Sequence, residues 1–167
     1  MIPFEKTPYA GGERETLRAF LQQNRSIVLW KLDGITLEQG AQKTVESDTT
    51  LLGVLKHLAW VERWWFCDFI DGQEVEYPWG EEDPDGEWRI NEGDTVDSIR
   101  ELYATAVDEA NTVIDAAESL DVMGSSGGRS RSLRWVMVHM IEETARHAGH
   151  LDIIREIIDG TAGYTPE

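Results

Sequence analysis

The chain has 167 residues, 41% hydrophobic and 28% charged, which fits one folded domain over 1–167 with enough apolar material for a buried core. Its 32 acids against 15 bases give a formal charge of −17, so a nucleic-acid backbone or an anionic membrane surface is repelled. One cysteine, Cys67, excludes an internal disulfide and suits a reducing cytoplasm. No apolar run approaches the 18 or so residues of a membrane span, and the opening MIPFEKTPYAGG lacks the basic and apolar regions of a leader.

Four segments carry helical periodicity. In the first, Glu13 to Leu32, residues Leu17, Phe20, Leu21, Val28 and Leu32 recur at spacings that gather them on one stripe, and Asp33-Gly34 supplies a stop. The second follows the capping candidates Ser47-Asp48-Thr49 and runs LLGVLKHLAWVERWWFCDFI to Asp71-Gly72. The third opens at Asp94-Thr95, and the fourth runs from Ser132 to Gly160. Between the second and third lies an acidic, turn-rich segment, Gly72 to Gly93, long enough to be a crossover or a functional loop. Gly124 to Ser130 reads as a flexible turn into the last helix. The pattern predicts an all-α four-helix bundle with a long irregular insert between helices two and three.

Four histidines stand out: His57 on the second helix, and His139, His147 and His150 on the fourth. Taking His139 as zero, Glu143 falls near 40°, His150 near 20° and His147 near 80° at about 100° per residue. This polar stripe is flanked by Val136, Met140 and Ile154, so it faces apolar surroundings and its groups need partners. Either the imidazoles are packed and hydrogen-bonded within the core, or they hold a divalent cation. Glu143 and His147, at i and i+4, can reach one ion, and His57 sits at a suitable depth to supply a third ligand. Two imidazoles and a carboxylate suit zinc first, with nickel, iron or manganese also compatible, and three protein ligands leave a position open. The order ExxxH, not HExxH, argues against a metalloprotease.

The strings LLGVLKHLAWVE and ETARHAGH, with ERETLRAFLQQNRSIVLWKLDGIT and the Trp-Asp-Pro-rich insert, resemble the DinB-like superfamily, in its actinobacterial branch similar to the mini-circle protein. The resemblance covers nearly the whole chain. It implies a DinB four-helix bundle with a metal held by His57, Glu143 and His147, and this triad also resembles that of mycothiol-dependent maleylpyruvate isomerase. His139 and His150 then become outer or substrate-facing residues. The resemblance further implies a low-molecular-weight thiol such as mycothiol as cofactor, and a metal-dependent thiol transferase or isomerase acting on a small molecule. A non-catalytic metal-holding or purely structural bundle is the competing reading.

Arg146 and Arg155 could grip a substrate carboxylate or simply pair with Glu142 and Asp152. Trp64, seven residues after His57, shares its face on an α-helical wheel and is either core or a pocket wall; Trp60 lies nearby in phase. Trp79 and Trp88 of the insert either cover the open end of the bundle or pin the insert to it. Cys67 reads as a buried structural thiol. A homodimer is expected from long amphipathic helices and from the resemblance.

Overall fold

The computed structural model describes residues 2, 4 and 6–163. Met1, Pro3 and Glu5, part of the stretch read for a leader, and residues 164–167 lie outside them. Among the described residues, four long helical rods form the bundle. They are α1 (Glu13–Trp30), α3 (Leu51–Glu62) continued by a π-helical stretch (Arg63–Ile70), α4 (Val96–Ala116) and α5 (Leu133–Asp159). A short α2 (Leu37–Ala41) and a single 3-10 turn (Gly86–Trp88) complete the helices. No helix among the described residues is long and apolar enough to cross a membrane.

The ends of the rods follow local chemistry. Thr50, one residue beyond the expected caps, accepts from the Gly53 amide; Thr95 forms a capping box with Ser98; Ser132 accepts from the Trp135 amide. Gly160 closes α5 at φ 74°, the left-handed conformation that favours glycine. Leu21 and Val28 of α1, Leu52, Leu55 and Leu58 of α3, Tyr103 and Val107 of α4, and Met140 and Leu151 of α5 are fully buried where the rods meet. Each such aliphatic side chain contributes roughly 1.5–3 kcal/mol of burial.

Two features depart from expectation. The turn expected at Gly124–Ser130 is an antiparallel β-hairpin, β1 (Met123–Ser126) with β2 (Arg129–Ser132), reversed at Gly127-Gly128 where both φ values are positive. Gly124 lies so close to the π-helical stretch that a Cβ there would meet the Phe69 carbonyl at 2.1 Å, so the hairpin is seated on that stretch. The stretch itself carries the bond from the Asp71 amide to the Phe66 carbonyl, five residues back. That wider turn shifts residues off the α-helical wheel and gathers Trp64, Trp65 and Phe69, with ring centroids 4.4–6.5 Å apart.

The insert is a packed strap. Lys56 reaches out of α3 to donate to the Arg89 carbonyl (2.6 Å) and to Asp94 (2.9 Å). Tyr77 and Trp79 stack on each other and meet the Trp60 ring edge-on, while the Tyr77 hydroxyl donates to Asp68. A Cβ on Gly86 would stand 2.0 Å from the Pro78 carbonyl, so only glycine permits the strap to fold back at that point. The strap thereby brings Glu87 and Trp88 down onto α3.

Candidate metal centre

The rods α3 and α5 run antiparallel: His57 meets His147, and eight residues further along α3, Trp65 meets His139. Midway along their seam, Glu143 Oε1 lies 3.2 Å from His147 Nε2 and 3.4 Å from His57 Nε2. One ligand atom from each of the three residues falls within 4.8 Å of the others. The side chains are 8–14% exposed, so the group is shielded without being sealed.

These separations test the fit of an ion. A tetrahedral zinc with bonds of about 2.0–2.2 Å spaces its ligands by roughly 3.3–3.6 Å, whereas N–H···O bonds centre near 2.9–3.0 Å. The Glu143–imidazole distances lie at or beyond the long end of hydrogen bonding and close to a coordination edge. The donors are also of the right kind, two imidazole nitrogens and one carboxylate oxygen. His147 and His57 bonding to Glu143 hold its carboxyl well below the usual carboxylate range, against the opposing effect of burial. Glu143 is therefore ionised throughout the working pH range, as a cation ligand must be. The residues present fit a divalent metal.

Each member of the triad has an outer partner. His147 Nδ1 stands 3.4 Å from His150 Nδ1; with Nε2 directed at the centre, Nδ1–H of His147 donates to His150. Burial, followed by the neighbouring His147, lowers the His150 pKa. Glu143 Oε2 accepts from Arg146 at 3.3 Å. His57 Nδ1 lies 3.6 Å from Glu87 Oε1, an ion-pair distance outside hydrogen bonding, and its ring stacks on Trp88 at 4.1 Å and 16°. Carboxylate, carbonyl or imidazole partners of this sort set the tautomer of a ligating histidine.

Among the other residues singled out, His139 does not join the triad: it sits between Trp65 and Trp135 and faces Glu142 at 3.6 Å. Trp64 turns with the π-helical stretch into the same neighbourhood, lining a cavity of about 330 Å³ with His139. Arg155 is buried and spent on Asp159 and on the carbonyls of Lys31 and Asp33, so it is a structural tie between α5 and the end of α1. Trp79 pins the strap, and Trp88 is the tryptophan that touches the triad. Cys67 is buried, and burial pushes its thiol up to about 11, which leaves it protonated and inert. Glu87 went unseen in the sequence; the one available signal was the need of a ligating histidine for an acidic partner.

Residues 16–160 match the family described as Mycothiol-S-transferase. The chain belongs to this family. No curated protein matches the chain. A mycothiol-transferase family member of DinB-like fold thus carries, at the middle of its bundle, a His–Glu–His cluster that can hold a metal ion.

Proposed function

We propose that this chain is a single-domain, divalent-metal-dependent thiol S-transferase that joins mycothiol, or a thiol of that type, to a small electrophile. The observation that carries the reading is the convergence of His57, Glu143 and His147 from two rods in a member of the mycothiol-S-transferase family. His57 and His147 would offer their Nε2 atoms and Glu143 its Oε1; zinc is the first choice, with nickel, iron or manganese also suited to this donor set. When bound, such an ion supplies Lewis acidity that favours the thiolate over the thiol near neutral pH. His150 and Arg146 hold His147 and Glu143 in orientation, Glu87 faces the His57 Nδ1 across 3.6 Å, and Trp88 stacks on the His57 ring. In the transfer, the S–H proton passes to solvent, sulfur bonds to the electrophilic carbon, and the leaving group departs with that carbon's bonding pair.

Cytoplasmic placement belongs to the same proposal, because a lone buried thiol and a thiol cofactor suit a reducing compartment. So does a homodimer, in keeping with the exposed Val138, Ile153 and Ile157 on α5. The test is turnover: zinc-loaded protein with mycothiol and 1-chloro-2,4-dinitrobenzene should consume thiol faster than the uncatalysed mixture, and His57→Ala and His147→Ala should return it to that rate. Thiol loss at the uncatalysed rate, with zinc fully bound, would leave a metal-holding bundle without catalysis.

A further inference from the structure

We propose that the cavity between the π-helical stretch, the hairpin and α5 is a binding site for a planar aromatic anion. Resting on the transfer reading, we assign that anion as the class of electrophile that receives the thiol. The cavity, about 330 Å³, is walled by Trp64, Trp65, Trp135 and His139, with Arg129 and Arg131 of β2 at its rim. Its rings already form a stacking platform: Trp135 lies parallel to His139 at 5.1 Å and 22°, and Trp65 meets His139 edge-on at 5.0 Å.

Charge selects the class of ligand. In a chain with 17 more acids than bases, cations are normally taken up by carboxylates. Among the described residues, Arg18, Arg25, Arg63, Arg89, Arg100, Arg134, Arg146 and Arg155 all pair with an acid, and Arg14 donates to two carbonyls. Arg129 and Arg131 pair with none; Arg131 lies over the Trp135 ring at 5.1 Å and donates to the Ser130 carbonyl. Glu142 faces the cavity's His139 at 3.6 Å and Arg146 Nε at 3.7 Å. Two guanidiniums without an acidic partner, beside stacked indoles, match a carboxylate on an aromatic ring, which guanidinium can bind bidentately.

The backbone points the same way. Trp64, Trp65 and Phe69 all reach the cavity from the stretch where the rod widens, and helical irregularities of this kind collect at functional sites. His139 of the cavity wall lies one turn before Glu143, about 6 Å along α5 at 1.5 Å per residue. A ligand held by the tryptophans would present its reactive carbon along that same seam.

The test uses the full chain, metal-free and zinc-loaded, titrated with 2-naphthoate and with uncharged 2-naphthalenemethanol, and followed by calorimetry and tryptophan fluorescence. Naphthoate should bind both forms at least tenfold more tightly than the alcohol. The double substitution Arg129→Gln, Arg131→Gln should weaken naphthoate about tenfold and leave the alcohol unchanged, while Trp135→Ala should weaken both. Both arginines are on the hairpin surface, and circular dichroism checks that the variants fold. Equal affinity for acid and alcohol, or an unchanged double variant, would overturn the proposal. Naphthoate binding without thiol turnover would instead fault the transfer reading alone, because the metal-free titration does not depend on it.

Discussion

Two of the polar clusters buried in this bundle are built to opposite standards. In the first, Arg25 of α1 donates through Nε and Nη2 to the two oxygens of Glu62 at 2.7 and 2.6 Å, and through Nη1 to Asn111 at 2.9 Å, with both charged side chains fully buried. Each guanidinium nitrogen has its own acceptor within 2.6–2.9 Å. In the second, a single oxygen of Glu143 faces two imidazole nitrogens at 3.2 and 3.4 Å, and the outer contacts run from 3.3 to 3.6 Å. The first is a closed pair that ties α1 to α3; the second is a set of donors aimed at one point. The contrast separates polar groups that hold a fold from polar groups that await a ligand, and it uses distances rather than residue types.

The largest effect should come from breaking the closed pair. Glu62→Ala leaves the Arg25 guanidinium charged and buried, at a cost of about 3–5 kcal/mol. Urea unfolding should register that loss, and whatever fraction stays folded should keep its metal. A variant that lost metal and kept its stability would reverse the roles assigned to the two clusters.

Next is the outer partner of His57. Glu87→Gln removes the charge facing Nδ1 while preserving shape, and metal affinity should fall by about 10- to 100-fold, as second-layer changes do. Competition with a chromogenic chelator reads this directly. Unfolding of the metal-free variant should barely move, because Glu87 makes no hydrogen bond to His57.

The smallest effect is a pH dependence. The folded Glu143 carboxyl lies below its ordinary value near 4.5, so its contribution is complete above that pH and fades as pH falls toward the folded value. In metal-free protein the stability gap between wild type and Glu143→Gln should be about 1 kcal/mol at pH 6 and narrower at pH 3. Denaturant midpoints at the two pH values measure it; a gap that widens in acid would contradict the hydrogen-bonding pattern described.

The rods and the triad were legible because they rest on local spacing. Leu17, Leu21 and Val28 mark a helical stripe by themselves, Ser132 and Gly160 bracket α5, and Glu143 and His147 must share a face at i, i+4. What escaped depends on contacts between segments distant in sequence. Glu87 and Trp88 reach His57 because Lys56 anchors the strap and Gly86 lets it fold, neither of which has a periodic signature. RWWFCDFI winds with five-residue bonds although its apolar pattern reads as ordinary α-helix, while Trp64 lines a cavity with His139 as one of its two expected roles. The hairpin hid behind six polar residues among the eight of its two strands, and a pair of glycines that also suit a loose turn.

The central claim is that His57, Glu143 and His147 share one ion. Elemental analysis of the folded, zinc-equilibrated chain and of its His57→Ala, Glu143→Ala and His147→Ala variants tests it most directly. The account predicts about one equivalent for the wild type and a collapse of that value in each variant, with the fold retained. Full zinc content in all three variants, or none in the wild type, would contradict it.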